Sequence, residues 1–81
     1  MFFVYILFSE SNNRYYIRQS NNLEDRIHRH NSGYEIATKS GTPWKLIHHF
    51  QLQTRSEAML LEKKIKKRDA KRFLDDLNNE Q

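Results

Sequence analysis

The sequence predicts a small α+β domain, in which a three-stranded antiparallel sheet is flanked by helices in the order ββαβαα. An apolar run over residues 2–8 has the aromatic and β-branched composition of a buried strand. Two further strand-like segments follow it, the first of them after a short Asn-rich turn. Helix-capping signals stand at Asn21 and at Thr54. Elements in this order favour helices packed on one antiparallel sheet.

The first strand is predicted to lie in the middle of the sheet. Strand side chains alternate between two faces, and both faces are apolar here. They carry two sets of residues: Phe3, Tyr5 and Leu7, and Val4, Ile6 and Phe8. The Tyr5 hydroxyl is the polar group of this strand, and burial would require a hydrogen-bond partner for it. Such a partner indicates either ordinary core packing or a functional site.

Residues 14–18 predict a second strand, with Tyr16 and Arg18 on one face. Because the connection to the first strand is short and rich in Asn, the two strands are expected to form an antiparallel hairpin. The faces that carry Tyr5 and Tyr16 could therefore meet.

A helix of about three turns is predicted next. Asn21 with Glu24 three residues later is a variant of the capping box, and Gly33 is the expected left-handed stop. Two pairs of residues spaced four apart lie on neighbouring faces of this helix: Leu23 with Ile27, which form the buried stripe, and Arg26 with His30.

Residues 34–43 contain Gly41 and Pro43 and predict a loop, in which Lys39 is a basic residue. Residues 44–53 then predict a third strand. Strict alternation would place five of its residues on one face: Trp44, Leu46, His48, Phe50 and Leu52.

Thr54 and Glu57 form a full capping box before a long helix. The core side of that helix is expected to carry Ala58, Leu61 and Ile65, with Glu62 at the border of this apolar stripe. Asp69 is expected to cap a last helix, whose apolar residues are Phe73, Leu74 and Leu77. Residues 78–81 are predicted to be a frayed tail.

At 81 residues, the chain is expected to form one domain over residues 1–81. The absence of cysteine excludes disulfides, thiolate metal sites and cysteine nucleophiles. The apolar start lacks the basic leading segment of a signal peptide, so we expect a soluble, cytoplasmic protein. A net charge of +4 favours a polyanionic partner.

Each candidate residue also has a simpler interpretation. Two tyrosines on paired strands are commonly core packing, and an Arg with a His on one helical face is commonly a solvated pair. Glu62 could be a boundary residue paired with Lys66. A histidine-bound zinc is not expected, because the neighbouring histidines of this chain diverge. From composition and residue spacing alone, we therefore predict only a small basic domain whose function involves nucleic acid.

The ordered set of short motifs resembles the GIY-YIG nuclease family. It runs through Val4-Tyr5-Ile6, Tyr15-Tyr16-Ile17, Asn22-Leu23, Arg26, His30-Asn31-Ser32-Gly33, Thr38-Lys39-Ser40, Pro43-Trp44-Lys45-Leu46, Ser56-Glu57-Ala58 and Glu62. The chain is most similar to the small single-domain bacterial members, which are themselves similar to the nuclease domain of the excision-repair endonuclease. The resemblance implies a magnesium-dependent hydrolase, an endonuclease that binds DNA, with a link to DNA repair.

The resemblance also assigns catalytic roles. Tyr5 would orient or deprotonate the attacking water, and Tyr16 would bind the scissile phosphate or a water ligand of the metal. Arg26 would stabilise the charge of the transition state, and His30 would assist the base. Glu62 would bind one Mg²⁺ or Mn²⁺ ion, which suits a hard carboxylate oxygen. All of these groups must then border one groove.

The partner implied is DNA, without an organic cofactor or a membrane. Phosphate contacts are expected from Arg18, Lys39, Lys63, Lys66, Lys67 and Arg68. A homodimer or a partner protein could supply the sequence discrimination that so small a surface lacks. Arg18 replaces the glycine that ends the second motif in the family, which leaves an alternative: a catalytically silent nucleic-acid-binding domain. A domain that binds only proteins is a third alternative, and it would not be retained on DNA at low salt.

Overall fold

A computed structural model describes residues 1–33 and 38–79 of the chain. The elements are β1 (Phe2–Ser9), β2 (Arg14–Ser20), α1 (Leu23–Ser32), a 3-10 turn (Lys39–Gly41), β3 (Trp44–Leu52), α2 (Arg55–Arg68) and α3 (Ala70–Asn79). This α+β fold with the order ββαβαα confirms the prediction. The first four residues of the predicted loop, 34–37, lie outside the described residues.

The sheet has the strand order β2-β1-β3, and both pairings are antiparallel. The predicted central position of β1 is therefore confirmed. Val4, Ile6 and Leu7 have no exposed surface, as expected for a strand that is covered on both faces. β2 and β3 form the two edges.

The helices divide the core between the two faces of the sheet. On one face, Val4 and Ile6 pack with residues of α2 and α3, namely Ala58, Ile65 and Ala70. On the other face, Tyr5 and Leu7 pack with Trp44, and with Tyr16, Leu23 and Ile27 around them. α1 thus covers the face from which Tyr5 projects, and α2 and α3 cover the opposite face.

The expectation that five residues of β3 share one face is wrong, because β3 contains a bulge. His48 pairs with Ile6, but Leu46 pairs with Leu7, so Ile47 is an extra residue in the ladder. An extra residue reverses the alternation of side chains beyond it. Trp44 and Leu46 consequently lie on the Tyr5 face, while His48, Phe50 and Leu52 lie on the Val4 face.

The helix boundaries agree with most of the capping predictions. The cap of α1 is Asn22, whose side chain accepts from the Asp25 backbone at 3.1 Å, and not the predicted Asn21 with Glu24. The cap lies one residue later than predicted because either of the two adjacent asparagines is suitable as a capping residue. Gly33 ends α1 in the left-handed region with φ 82°, as predicted. The capping box of Thr54 and Glu57 is also confirmed.

α2 and α3 meet at Asp69, which has a φ of 85°. Its backbone N–H closes α2 on the Ile65 carbonyl, and its own carbonyl accepts from Phe73 at 2.9 Å. At the start of α3, Asp69 therefore acts through its backbone carbonyl, which accepts a hydrogen bond from Phe73. α3 continues through Asn79, so the first two residues of the predicted tail are helical, and residues 80–81 lie outside the described part. None of the helices described is both long and apolar enough to cross a bilayer.

Candidate active site

A small cavity of about 90 Å³ opens on the sheet face that α1 covers. Six residues line it: Tyr5, Tyr16, Arg18, Gln19, Arg26 and His30. They come from β1, β2 and α1. The four residues predicted to be catalytic therefore meet at one place, together with Arg18, which was predicted to contact DNA.

The pairing of β1 with β2 determines where the cavity residues of these two strands lie. Arg18 stands directly opposite Tyr5, and Tyr16 stands opposite Leu7. Residues opposite one another in an antiparallel pair project to the same face. Tyr5, Tyr16 and Arg18 accordingly share the face on which α1 packs, and the predicted shared face of Tyr16 and Arg18 is confirmed.

The spacing of α1 places the helical members. Arg26 and His30 are one turn apart, so both project from the same side of the helix. Leu23 and Ile27 pack against the core cluster of Tyr5, Leu7 and Trp44, which fixes the rotation of α1 over the sheet. His30 is buried as a result, with 3% of its surface exposed.

The Tyr5 hydroxyl finds its partner in His30. Its oxygen lies 3.2 Å from His30 Nε2, and His30 Nδ1 lies 2.9 Å from Thr38 Oγ1. All three side chains are buried. In the tautomer that carries its proton on Nδ1, the imidazole donates to Thr38 and accepts from Tyr5. The Tyr5 ring thus packs in the core cluster, while its hydroxyl belongs to a buried hydrogen-bonded chain.

Two further residues hold this chain in position. Asn31 bridges to the backbone of Trp44, accepting from its N–H at 2.6 Å and donating to its carbonyl at 3.2 Å. The Trp44 indole N–H donates to the Thr38 carbonyl at 2.7 Å. These bonds tie α1 to the start of β3 and fix the Thr38 hydroxyl against His30.

Tyr16 is held through its ring. The ring lies edge-on to His30, with centroids 5.2 Å apart, and 5.9 Å from the Trp44 ring. Aromatic contacts of this kind restrict the ring and leave the hydroxyl end to be placed by the backbone. Tyr16 is half-buried and lines the cavity.

Two arginine side chains border the cavity. The Arg18 guanidinium carbon lies 6.0 Å from the centroid of the Tyr16 ring, and Arg26 projects from α1 on the other side. None of the six described residues that line the cavity is acidic. Two guanidinium groups at one small cavity favour an anion as its occupant.

Glu62 does not line this cavity. α2, which carries it, packs on the opposite face of the sheet. Met59 and Lys66, on the same side of α2 as Glu62, line two other cavities beside β2, the first with Gln19 and the second with Ile17. Glu62 thus lies along the β2 edge. The predicted convergence on one groove holds for the two tyrosines, Arg26 and His30, and does not include this carboxylate.

The Glu62 side chain is largely buried and forms an ion pair with a lysine. Its side chain is 16% exposed, and Lys66 donates to its Oε2 at 2.8 Å. The predicted i,i+4 pair of these two residues is therefore present.

The other cations predicted to contact DNA are distributed over two elements. Lys39 is exposed on the 3-10 turn, and Lys63 and Lys67 are exposed on α2. Arg68 is engaged with Asp76 of α3 through two hydrogen bonds of 2.9 and 3.1 Å. These bonds, together with the charge of Arg68, hold the pKa of Asp76 below its usual value. Part of the basic surface thus already has carboxylate partners.

The donor chemistry of Glu62 fits a hydrated hard cation. Mg²⁺ accepts one or two protein carboxylates and retains most of its waters. Across residues 1–33 and 38–79 there is no group of three His, Cys, Asp or Glu side chains that could form a cage for a metal. A single carboxylate completed by water is a binding mode that Glu62 could provide.

The residues that position the site were not identified from the sequence as functional. Thr38, Asn31 and Trp44 occur in the motifs that carry the family resemblance, and those motifs were the signal for them. Gln19 follows Arg18 directly and lines the cavity, although no separate sequence signal pointed to it.

The match to a family model indicates a nuclease-type domain. Over residues 1–75 the chain matches the family model of the GIY-YIG catalytic domain, and the protein belongs to this family. The family implies DNA as the substrate. Comparisons with curated proteins and with solved structures gave no match.

Proposed function

We propose that this protein is a DNA endonuclease that hydrolyses phosphodiester bonds with the help of one divalent cation, Mg²⁺ or Mn²⁺. The observation that supports this most strongly is the meeting of Tyr5, Tyr16, Arg26 and His30 at one cavity. Core packing alone does not require two arginines and a buried Tyr–His–Thr chain at the same place. A cytoplasmic location and a part in DNA repair stay predictions from the sequence.

Tyr5 and His30 would form the proton path. A water that attacks phosphorus must lose a proton, and the Tyr5 oxygen accepts it while the phenolic proton moves to His30 Nε2. The resulting imidazolium still donates its Nδ1 proton to the Thr38 hydroxyl oxygen. The new P–O bond forms from the water oxygen, the bond to the leaving sugar oxygen breaks, and that oxygen takes a proton from solvent.

Tyr16 and Arg26 would bind the scissile phosphate. The Tyr16 hydroxyl donates to a non-bridging oxygen, and the Arg26 guanidinium pairs with the negative charge that grows in the transition state. One preorganised donor at such a position contributes about 10²-fold to 10³-fold to the rate. Both groups act on the phosphate and therefore carry no sequence preference.

Glu62, beside the β2 edge and outside the cavity, would hold the divalent cation, which would act as a Lewis acid and neutralise the charge of a phosphate that reaches this edge. Lys39, Lys63 and Lys67 would contact phosphates away from the cut, and Lys66 and Arg68 would do so beside their carboxylate partners.

Nicking of a supercoiled plasmid tests this function. We expect the protein to convert the plasmid to the open circle with Mg²⁺ or Mn²⁺ and to leave it intact with chelator. Glu62→Ala should abolish cutting. Asp75→Ala, which removes an exposed acidic side chain from α3, is the matched control and should cut normally. Cutting by Glu62→Ala at the wild-type rate would refute the assignment of the metal ligand.

A second candidate is a catalytically silent nucleic-acid-binding domain. It is favoured by the position of Arg18, which stands opposite Tyr5 and lines the cavity while Glu62 lies outside it. In this case the guanidinium would bind the phosphate in place of a cation. Wild-type protein would then bind DNA with a steep salt dependence and never cut it.

A further inference from the structure

The geometry points to a second binding site, beside the catalytic cavity, that takes one unpaired nucleotide of the DNA strand being cut. This inference rests on the proposed function, because it assigns a substrate feature to the same site. The second cavity has a volume of about 290 Å³, and it shares Gln19 and Arg26 with the first. A phosphate held at the first cavity would therefore place the neighbouring nucleotide at the second.

The walls of this second cavity match the chemistry of a nucleotide. Phe2 and Met59 supply an aromatic face and a thioether, and Arg26 and Arg55 supply two positive charges. The remaining described lining is polar and uncharged, with Gln19 and Asn21 among it. A nucleotide likewise combines a flat ring with polar edges and an anionic group.

The Phe2 ring is already used as a stacking surface. The Arg55 guanidinium carbon lies 5.5 Å from the ring centroid, although Phe2 is only half-buried and Arg55 is exposed. A base could replace the guanidinium on the ring, because both are planar. Arg55 would then be released toward the phosphate of the same nucleotide.

The size of the cavity selects an unpaired nucleotide. Its volume of about 290 Å³ is just below the range of roughly 300–1,000 Å³ that is typical of small-molecule sites, so the cavity is too small for a duplex. A paired base is stacked inside the helix and cannot reach the Phe2 ring unless it leaves the stack. The expected substrates are therefore strands with a bulge, a flap or a mismatch next to the bond that is cut.

The test measures binding in the presence of chelator, so that it does not depend on cleavage. Three labelled duplexes of equal length are compared by fluorescence anisotropy: one fully paired, one with a central bulge of thymidines, and one with a bulge of abasic nucleotides. We expect the wild type to bind the thymidine bulge about fivefold or more tightly than the paired duplex, since one base–aromatic stack contributes at least this much. The abasic bulge, which bends the duplex but offers no base, should show little of this gain.

Met59→Ala, which shortens an exposed side chain of the cavity wall, should reduce the preference for the thymidine bulge. Arg72→Ala, which removes an exposed guanidinium from α3, should weaken binding to all three duplexes equally. Equal affinity of the wild type for paired and bulged DNA would overturn the inference, as would an equal gain from the abasic bulge. A protein that shows the preference but never cuts plasmid would contradict the nuclease function and leave the nucleotide site in place.

Discussion

Arg18 stands directly opposite Tyr5 in the pairing of β1 with β2, and its guanidinium carbon lies 6.0 Å from the centroid of the Tyr16 ring. The residue that replaces the family's glycine thus contributes a positive charge to the cavity that contains both tyrosines. A guanidinium in this cavity repels a divalent cation that approaches the same phosphate. Phosphate bound between the two would reverse this effect, so substrate and cation should bind together.

Replacement of Arg18 by glycine separates the two candidate functions. If the wild type is an active nuclease, Arg18→Gly should bind Mg²⁺ more tightly and still cut plasmid DNA. If the wild type is silent, the variant should gain cutting while its DNA affinity becomes less sensitive to salt. Glycine within a strand costs about 0.5–1 kcal/mol of folding free energy, so urea unfolding should confirm that the variant is folded.

The Tyr5–His30 hydrogen bond predicts the effect of Tyr5→Phe. The substitution removes the phenolic oxygen and leaves the buried His30 Nε2 without this partner, which should cost about 1–3 kcal/mol of folding free energy. The rate of plasmid nicking should fall by about 10²-fold or more, because the proton path is lost. Urea unfolding and single-turnover nicking measure the two effects. An unchanged nicking rate would exclude Tyr5 from the proton path.

The Glu62–Lys66 ion pair predicts that Lys66 competes with the divalent cation. Lys66→Ala should therefore tighten Mn²⁺ binding by up to about fivefold, the range expected for an ion pair with an exposed member. Mn²⁺ binding without DNA can be followed by electron paramagnetic resonance. Lys64→Ala removes the same charge from the same helix and serves as the control. Equal Mn²⁺ affinities of the two variants would argue against Glu62 as the ligand.

The Arg68–Asp76 pair predicts a stability difference that depends on pH. Because Arg68 lowers the pKa of Asp76 in the folded state, the stabilisation is present above the ordinary carboxyl pKa and is lost as the pH falls through the lowered value. Asp76→Asn should therefore lower Tm slightly at pH 7, and the difference from the wild type should vanish in strong acid. Asp75→Asn is the matched control. A difference that persists in strong acid would show that the Asp76 charge is not its cause.

The sequence predicted the sheet topology because the signals involved are strong and local. Residues 2–8 are apolar on both faces, and burial on both faces requires a central strand. The left-handed stop at Gly33 and the capping box at Thr54 likewise depend on residues close together in the chain. Such features need no knowledge of the tertiary packing.

The sequence could not predict the features that depend on contacts between distant segments. The bulge at Ile47 leaves no local signal, and it becomes visible only in the pairing with β1. The bond between Tyr5 and His30 joins residues 25 positions apart. The position of Glu62 beside the β2 edge follows from how α2 packs on the sheet, which helical periodicity does not determine.

The most direct test of the catalytic cavity compares two tyrosines of β2. Tyr16 projects toward α1 and lines the cavity, while its neighbour Tyr15 is on the opposite face and packs against Phe8 with ring centroids 4.8 Å apart. The measurement is the nicking rate of supercoiled plasmid with saturating Mg²⁺ for Tyr16→Phe and Tyr15→Phe, each of which removes one hydroxyl. We expect Tyr16→Phe to lose about 10²-fold and Tyr15→Phe to match the wild type. Equal rates for the two variants would contradict catalysis at this cavity.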